Sequence, residues 1–259
     1  MNNNLPSREN LENEYKNNVI RLGKFPLICA PLMNLDLETK KKISEKSSEI
    51  ELLEVRFDYL LSRGFELEEC LGYLRQQKIP FLFTMRSHLE GGQVKMSSIE
   101  RLQIIRNALN WEPACIDLEL STIMDENIIS RELIEEVHKR NICVITSYHD
   151  FGGTPGSNRL KEIAREEAST RADMLKIATY IRSGDDILSL LRTTLDIRKE
   201  LARPMAVMGM GNLGRITRIS TVALGSDLVF ADLFGSSAPG QIPYSKAREI
   251  IRLLYYEDW

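Results

Sequence analysis

The sequence predicts an α/β chain folded as a single-domain (β/α)8 (TIM) barrel, and three observations carry that expectation. Eight short apolar runs recur along the chain, beginning near Phe25, Ile50, Ile79, Cys115, Ile142, Met174, Pro204 and Leu228, at spacings of 24 to 36 residues. Stretches of helical period lie between them. The length of 259 residues suits one such barrel, and a hydrophobic content of 43% supplies its core.

The helical stretches are legible from their apolar faces. ENIISRELIEEVHKR sets Ile129, Leu133, Ile134 and Val137 on one side. GDDILSLLRTTLDIRKEL does the same with Leu188, Leu191 and Leu195, behind Ser183 as N-cap. YSKAREIIRLLYY does so with Ala247, Ile250, Ile251 and Leu254. Around Gly23, VIRLGKFPL predicts an N-terminal β-hairpin closing the barrel bottom. The polar residues 1–18 read as a disordered lead-in, which leaves 19–259 for the barrel.

Composition narrows the class of partner. The net charge is −3 and no basic run occurs, so neither nucleic acid nor a membrane surface is expected. No run approaches the roughly 18 apolar residues of a membrane span, and the N-terminus lacks an apolar signal core. The expectation is a cytoplasmic enzyme acting on a small molecule. Cys29, Cys70, Cys115 and Cys143 lie far apart without a CxxC spacing and are expected as buried, reduced thiols. Three scattered histidines offer no metal-ligand spacing.

The strongest functional signal is charge on the inward parity of strands. Glu54, Arg56 and Asp58 alternate with Leu53, Val55, Phe57 and Tyr59. Thr84 and Arg86 oppose Phe81, Phe83 and Met85; Asp117 and Glu119 oppose Ile116, Leu118 and Leu120; Ser147 pairs with His149; and Lys176 shares a face with Met174 and Ala178. In a barrel the apolar parity packs on the outer helices, so the charges must point inward. Each unpaired ion there would cost several kcal/mol, so the set must compensate itself. A cluster of this kind at a barrel mouth reads as a catalytic site.

Lys176 is its most informative member. Desolvation and a guanidinium neighbour, Arg56 or Arg86, would favour the neutral amine, which can attack a ketone and form an iminium. The structural alternative is a lysine paired with Glu54 or Glu119. His149 ends its run in SYHDF, and its imidazole suits proton transfer near neutrality. His138, in EEVHKR, reads as solvated, and His88 as a bystander.

MGMGNLGRITRI contains a literal GxGxxG at Gly209, Gly211 and Gly214, with Asp227 and Asp232 about where a ribose-binding acid would sit. A dinucleotide fold carries this turn in its first βα unit, whereas here six units precede it. The glycines fall in the seventh βα loop, where barrels commonly bind anions. The motif is therefore not expected to bind a nicotinamide cofactor.

ELLEVRFD, FTMRSHLEGG, ITSYHDF, LKIA, the glycine segment through Arg218, and SSAPGQ, in this order and spacing, resemble the type I 3-dehydroquinate dehydratases from about residue 25 to the end. That resemblance implies a cofactor-independent (β/α)8 lyase of the shikimate pathway, usually dimeric. It implies conversion of 3-dehydroquinate to 3-dehydroshikimate through a lysine Schiff base. It assigns the Schiff-base lysine to Lys176, the general acid/base to His149 and the orienting acid to Glu90. Substrate contacts fall on Glu54, Arg56, Arg86, Arg218, Ser237 and Gln241, with residues 234–243 as a mobile lid. The resemblance also implies that the seventh-loop glycines let the chain approach the substrate ring. After CAPL this chain reads MNLD where relatives often have Gly-Lys-Thr, so no substrate contact carries over to the first loop. A class I aldolase would share the strand-six lysine but would want a phosphate site. A barrel retained only for binding would lack Lys176 or His149.

Overall fold

The computed structural model describes residues 26–255, so the expected hairpin around Gly23 and the lead-in 1–18 lie outside the described residues. Eight parallel strands run in the order β7-β6-β5-β4-β3-β2-β1-β8. They are β1 Leu27–Leu32, β2 Leu52–Arg56, β3 Phe81–Thr84, β4 Cys115–Glu119, β5 Cys143–Asp150, β6 Met174–Tyr180, β7 Met205–Met210 and β8 Leu228–Phe230. Each falls within one of the eight apolar runs.

The remaining seam, between β7 and β8, is finished by individual bonds. Asp227 N–H donates to Met205 O at 2.6 Å, Met205 N–H to Asp227 Oδ2 at 3.0 Å, and Val207 N–H to Ser226 Oγ at 3.1 Å. Asp227 also accepts from Arg198 Nη1 at 3.0 Å and is buried at the start of β8. It closes the barrel and has no geometry for a ribose. Asp232 accepts the Gly235 N–H at 2.7 Å and shapes the following turn.

Two layers of core follow from strand alternation. Outward-facing Leu53, Val55, Phe83, Ile116, Leu118 and Val144 pack against the helices. Inward-facing Cys29, Leu52, Leu82, Cys115, Cys143 and Met174 form an apolar floor. All four cysteines are free and buried, as expected. The charged residues occupy the level above that floor.

The helix Gly184–Leu201 begins at Ser183, whose hydroxyl accepts Asp186 N–H in a capping box. Its buried stripe is Leu190, Thr193, Thr194 and Ile197, while Leu188 is exposed. The leucine pattern therefore placed the face about one residue, roughly 100°, around the helix from the buried one. The threonines can face inward because each hydroxyl is bonded: Thr194 donates to Leu190 O at 2.7 Å and Thr193 to Ser157 Oγ at 2.8 Å. Asp58 also departs from expectation. The strand stops at Arg56, and Asp58 lies in the first turn of the helix Phe57–Ser62, still buried and turned back toward Arg56.

Glu167, on the helix Ser157–Ser169, is wholly buried among outer-layer residues, and burial pushes its carboxyl well above the usual range. A carboxyl raised in the folded state contributes stability that is complete below its unfolded value and is lost as pH rises toward the folded one. Glu167→Gln should therefore gain on the wild type as pH rises from about 5 to 8, by up to about 1.4 kcal/mol per pH unit. Melting temperatures measured across that range check this. Parallel curves would mean that Glu167 titrates normally.

Candidate active site

Parallel register brings the charged positions to one level. Thr84 sits opposite Asp117, Glu119 opposite Ser147, and Ser147 opposite Lys176. Asp117 is the hub of the result. Its Oδ2 accepts from Lys176 Nζ and from Arg86 Nη2, each at 2.8 Å, and its Oδ1 from Ser147 Oγ at 2.6 Å. The two cations hold its carboxyl well below the ordinary range, despite full burial.

Lys176 Nζ also lies 3.4 Å from Glu54 Oε1 and 4.3 Å from the centre of the Phe230 ring. Its nearest charged groups are thus carboxylates, where the sequence had placed Arg56 or Arg86. Those two guanidiniums are taken by acids of their own. Arg56 binds Asp58 through Nε at 2.9 Å and Nη2 at 2.8 Å, and Arg86 bridges Asp117, Glu119 and Ser147. The strand-two and strand-three arginines face the cavity while anchored from behind. Glu54 also accepts the Thr84 hydroxyl at 3.1 Å.

Glu119 is the second hidden support. One oxygen accepts Arg86 Nη1 at 3.1 Å and the Ser87 backbone N–H at 2.8 Å; the other accepts Thr122 Oγ1 at 3.1 Å. It thereby fixes the start of the short turn His88–Glu90. That turn delivers Glu90, whose Oε2 lies 2.9 Å from His149 Nδ1 and accepts the His149 backbone N–H at 3.1 Å. Glu90 Oε1 accepts the Ser121 hydroxyl at 2.7 Å.

Burial governs both members of this pair. It pushes the Glu90 carboxyl up to about 7, and it holds the His149 imidazole well below its ordinary range, with Arg86 and Lys176 acting in the same direction on the histidine. With Nδ1 on Glu90, Nε2 is the nitrogen left to face the cavity. His88, by contrast, turns its Nδ1 to Gly92 O at 3.2 Å and stays outside, as expected of a bystander. His138 is half-buried and paired rather than freely solvated. Its Nε2 lies 3.1 Å from Asp173 Oδ2, which also accepts the Val144 N–H.

Arg218, in the helix Thr217–Ala223, closes the other side of the cavity. It is buried, and its Nη atoms donate to the carbonyls of Phe230 at 3.4 Å and Pro239 at 3.2 Å. No carboxylate pairs with it among the described residues, and burial brings its guanidinium down to about 10. A buried cation without an anion suits a negatively charged ligand. Ser237 and Gln241 line the same wall and bond each other: Gln241 Nε2 donates to Ser237 Oγ at 2.9 Å, and Ser237 N–H to Gln241 Oε1 at 2.8 Å.

The glycine motif is explained by packing. Gly214 sits so close to Gly209 that a Cβ would come within 2.6 Å of its backbone. Gly240 of the closing loop, at φ +84°, rests on the Gly211 carbonyl where any side chain would collide. Gly211 N–H donates to Pro239 O at 3.1 Å. The glycines therefore let the seventh loop meet the SSAPGQ loop, where the sequence had them approach the substrate. The first loop lies apart: Asp36 caps the helix Leu37–Lys46 through Thr39 N–H at 2.8 Å.

All nine expected site residues line one cavity. Sequence reasoning had placed Asp117, Glu119 and Ser147 on the charged parity without a role, and a count of charges needing partners could have given them one. Ser121 and Phe230 carried no signal.

The model of the type I 3-dehydroquinase family matches residues 28–258. The chain is 34% identical over 230 residues to the 3-dehydroquinate dehydratase of Methanocaldococcus jannaschii, covering 88% of this chain and 99% of that one. The crystal structure of 3-dehydroquinate dehydratase from Geobacillus kaustophilus aligns with a TM-score of 0.80 at 31% identity, over 92% of this chain and 95% of that one. The type I enzyme from Clostridium difficile, solved with covalently modified comenic acid, also gives 0.80, at 30% identity over 91% and 94%. With its family model spanning nearly every described residue, the chain belongs to the type I 3-dehydroquinase family.

Proposed function

We propose that the chain is a 3-dehydroquinate dehydratase, a hydro-lyase that releases water from 3-dehydroquinate through an iminium on Lys176. One observation carries the reading: Lys176 shares a cavity with the Glu90–His149 pair and with Arg218, which pairs with no carboxylate among the described residues. These are an amine for the ketone, a base for the neighbouring proton and a cation for the carboxylate.

In this reading Lys176 Nζ attacks the C3 carbonyl and one water leaves, giving the iminium. His149 Nε2 takes the C2 proton, the electrons flow into the iminium as an enamine, and the same proton is delivered to the departing C1 hydroxyl. Water then hydrolyses the iminium and restores the lysine. Asp117 and Glu54 stay beside the nitrogen, which is positive in each iminium and neutral in the enamine between them. Arg56, Arg86, Ser237 and Gln241 hold the ring. A dimer in the cytoplasm accompanies this reading, and light scattering on the purified protein checks the dimer.

The pair has one working protonation state. Ionised Glu90 accepts Nδ1–H and leaves Nε2 open; protonated Glu90 donates to Nδ1 and puts the hydrogen on Nε2, which then cannot accept the substrate's proton. Activity should accordingly fall as pH drops through about 7.

Borohydride reduction of the enzyme with 3-dehydroquinate, followed by peptide mapping, tests the function. An adduct on Lys176 is expected; none in folded protein would overturn it, and sugar phosphates serve as the control for an aldolase. Arg218→Ala should raise KM by about 10- to 100-fold with a smaller change in kcat, because a carboxylate away from the reacting atoms is gripped equally in ground and transition states. Steady-state kinetics decide this, and an unchanged KM would place the carboxylate elsewhere.

A further inference from the structure

We infer that Ser121 is a positioning residue of the catalytic pair: its hydroxyl fixes the outer oxygen of Glu90 and sets how readily that carboxylate serves His149. The inference rests on the roles just given to Glu90 and His149. Ser121 follows β4 directly, in the first turn of the helix Leu120–Asp125, and its Oγ donates to Glu90 Oε1 at 2.7 Å. The other oxygen, Oε2, is the one engaged with His149. One short carboxylate is thus held from both ends, by a hydroxyl from the fourth loop and by the histidine of the fifth strand.

The charges around Glu90 explain why a neutral donor matters. Arg86, just beyond β3, is the cation that favours its ionised form, but Arg86 is already bound to Asp117 and Glu119. Asp117 and Glu119 on β4 both oppose that form, and buried Glu167 on Ser157–Ser169 lies within electrostatic reach. His149 faces it from β5, where Tyr148 lies within electrostatic reach, and Arg56 reaches the neighbouring Gly91 carbonyl at 3.5 Å. Against this surplus of acids, the Ser121 hydroxyl acts in the same direction as Arg86. A donor rewards an ionised acceptor more than a neutral one, so its loss moves the working range upward in pH. Ser121 is exposed and its helix packs through other residues, so the position tolerates substitution.

The test is kcat/KM for 3-dehydroquinate across about pH 5 to 9 in wild type, Ser121→Ala, Ser121→Thr, Ser121→Asp and Glu90→Gln. Ser121→Ala should move the acid limb up by about half a pH unit, an approximately threefold loss at pH 6 with the alkaline plateau intact. Ser121→Thr should restore the wild-type limb, and Ser121→Asp should move it further by like charge. Glu90→Gln should have no such limb. A Ser121→Ala profile that overlies the wild type, or that drops equally at every pH, overturns the inference while leaving the Glu90 reading in place. Retention of the limb in Glu90→Gln overturns the role of Glu90 and the inference with it.

Discussion

Lys176→Met is expected to lower kcat by more than about 10^4-fold and to eliminate the borohydride-trapped adduct, because no other lysine among the described residues lines the cavity. The same change has a structural cost that must be separated from the chemical one. Asp117 keeps Arg86 and Ser147, but Glu54 loses the lysine and keeps the Thr84 hydroxyl bond, with Arg56 within electrostatic reach. A buried acid stripped of its cation costs about 3–5 kcal/mol, which corresponds to a fall in melting temperature of about 5 to 10 °C for a chain of this size. The double variant Lys176→Met/Glu54→Gln should recover most of that loss and none of the activity. Scanning calorimetry and initial rates together give the answer. Turnover within tenfold of wild type in Lys176→Met would end the Schiff-base mechanism.

His149→Ala should lower kcat by about 10^2- to 10^4-fold, the ordinary weight of a general acid/base. It should leave trapping on Lys176 detectable, since the amine and its carboxylates are untouched. The two variants therefore separate the covalent step from the proton transfers. Stability should change little, because the imidazole is neutral in the folded state and Glu90 retains Ser121. The acid limb near pH 7 should vanish with His149, since the protonation of Glu90 matters only through the tautomer it imposes. If His149→Ala keeps both the rate and the limb, another group carries the proton.

Much of this protein was determined by its sequence alone. Strand alternation puts every second side chain on one face, so Glu54, Arg56, Asp117, Glu119, Ser147, His149 and Lys176 could be assigned to the interior before any coordinates. Eight apolar runs separated by helical stretches could be satisfied by one closed parallel sheet. Lys176 and His149 stand out because an interior lysine and histidine are chemically expensive to keep. Local rules also sufficed where the partners are neighbours in the chain, as with Ser183 and Asp186.

Tertiary structure decided what depends on register across strands. No spacing along the chain says that Asp117, rather than an arginine, meets Lys176; the stagger of β4, β5 and β6 does. The same holds for Arg218, which looks like a helix residue until the closing loop and β8 bury it against the carbonyls of Pro239 and Phe230. Glu167 is one charge among several in its helix and ends wholly enclosed only through tertiary packing. The GxGxxG reads as a phosphate turn and becomes the close fit of the seventh loop against residues 239–240. A periodicity can be read from one segment, but a contact needs two, and most of the chemistry here lies in contacts between segments dozens of residues apart.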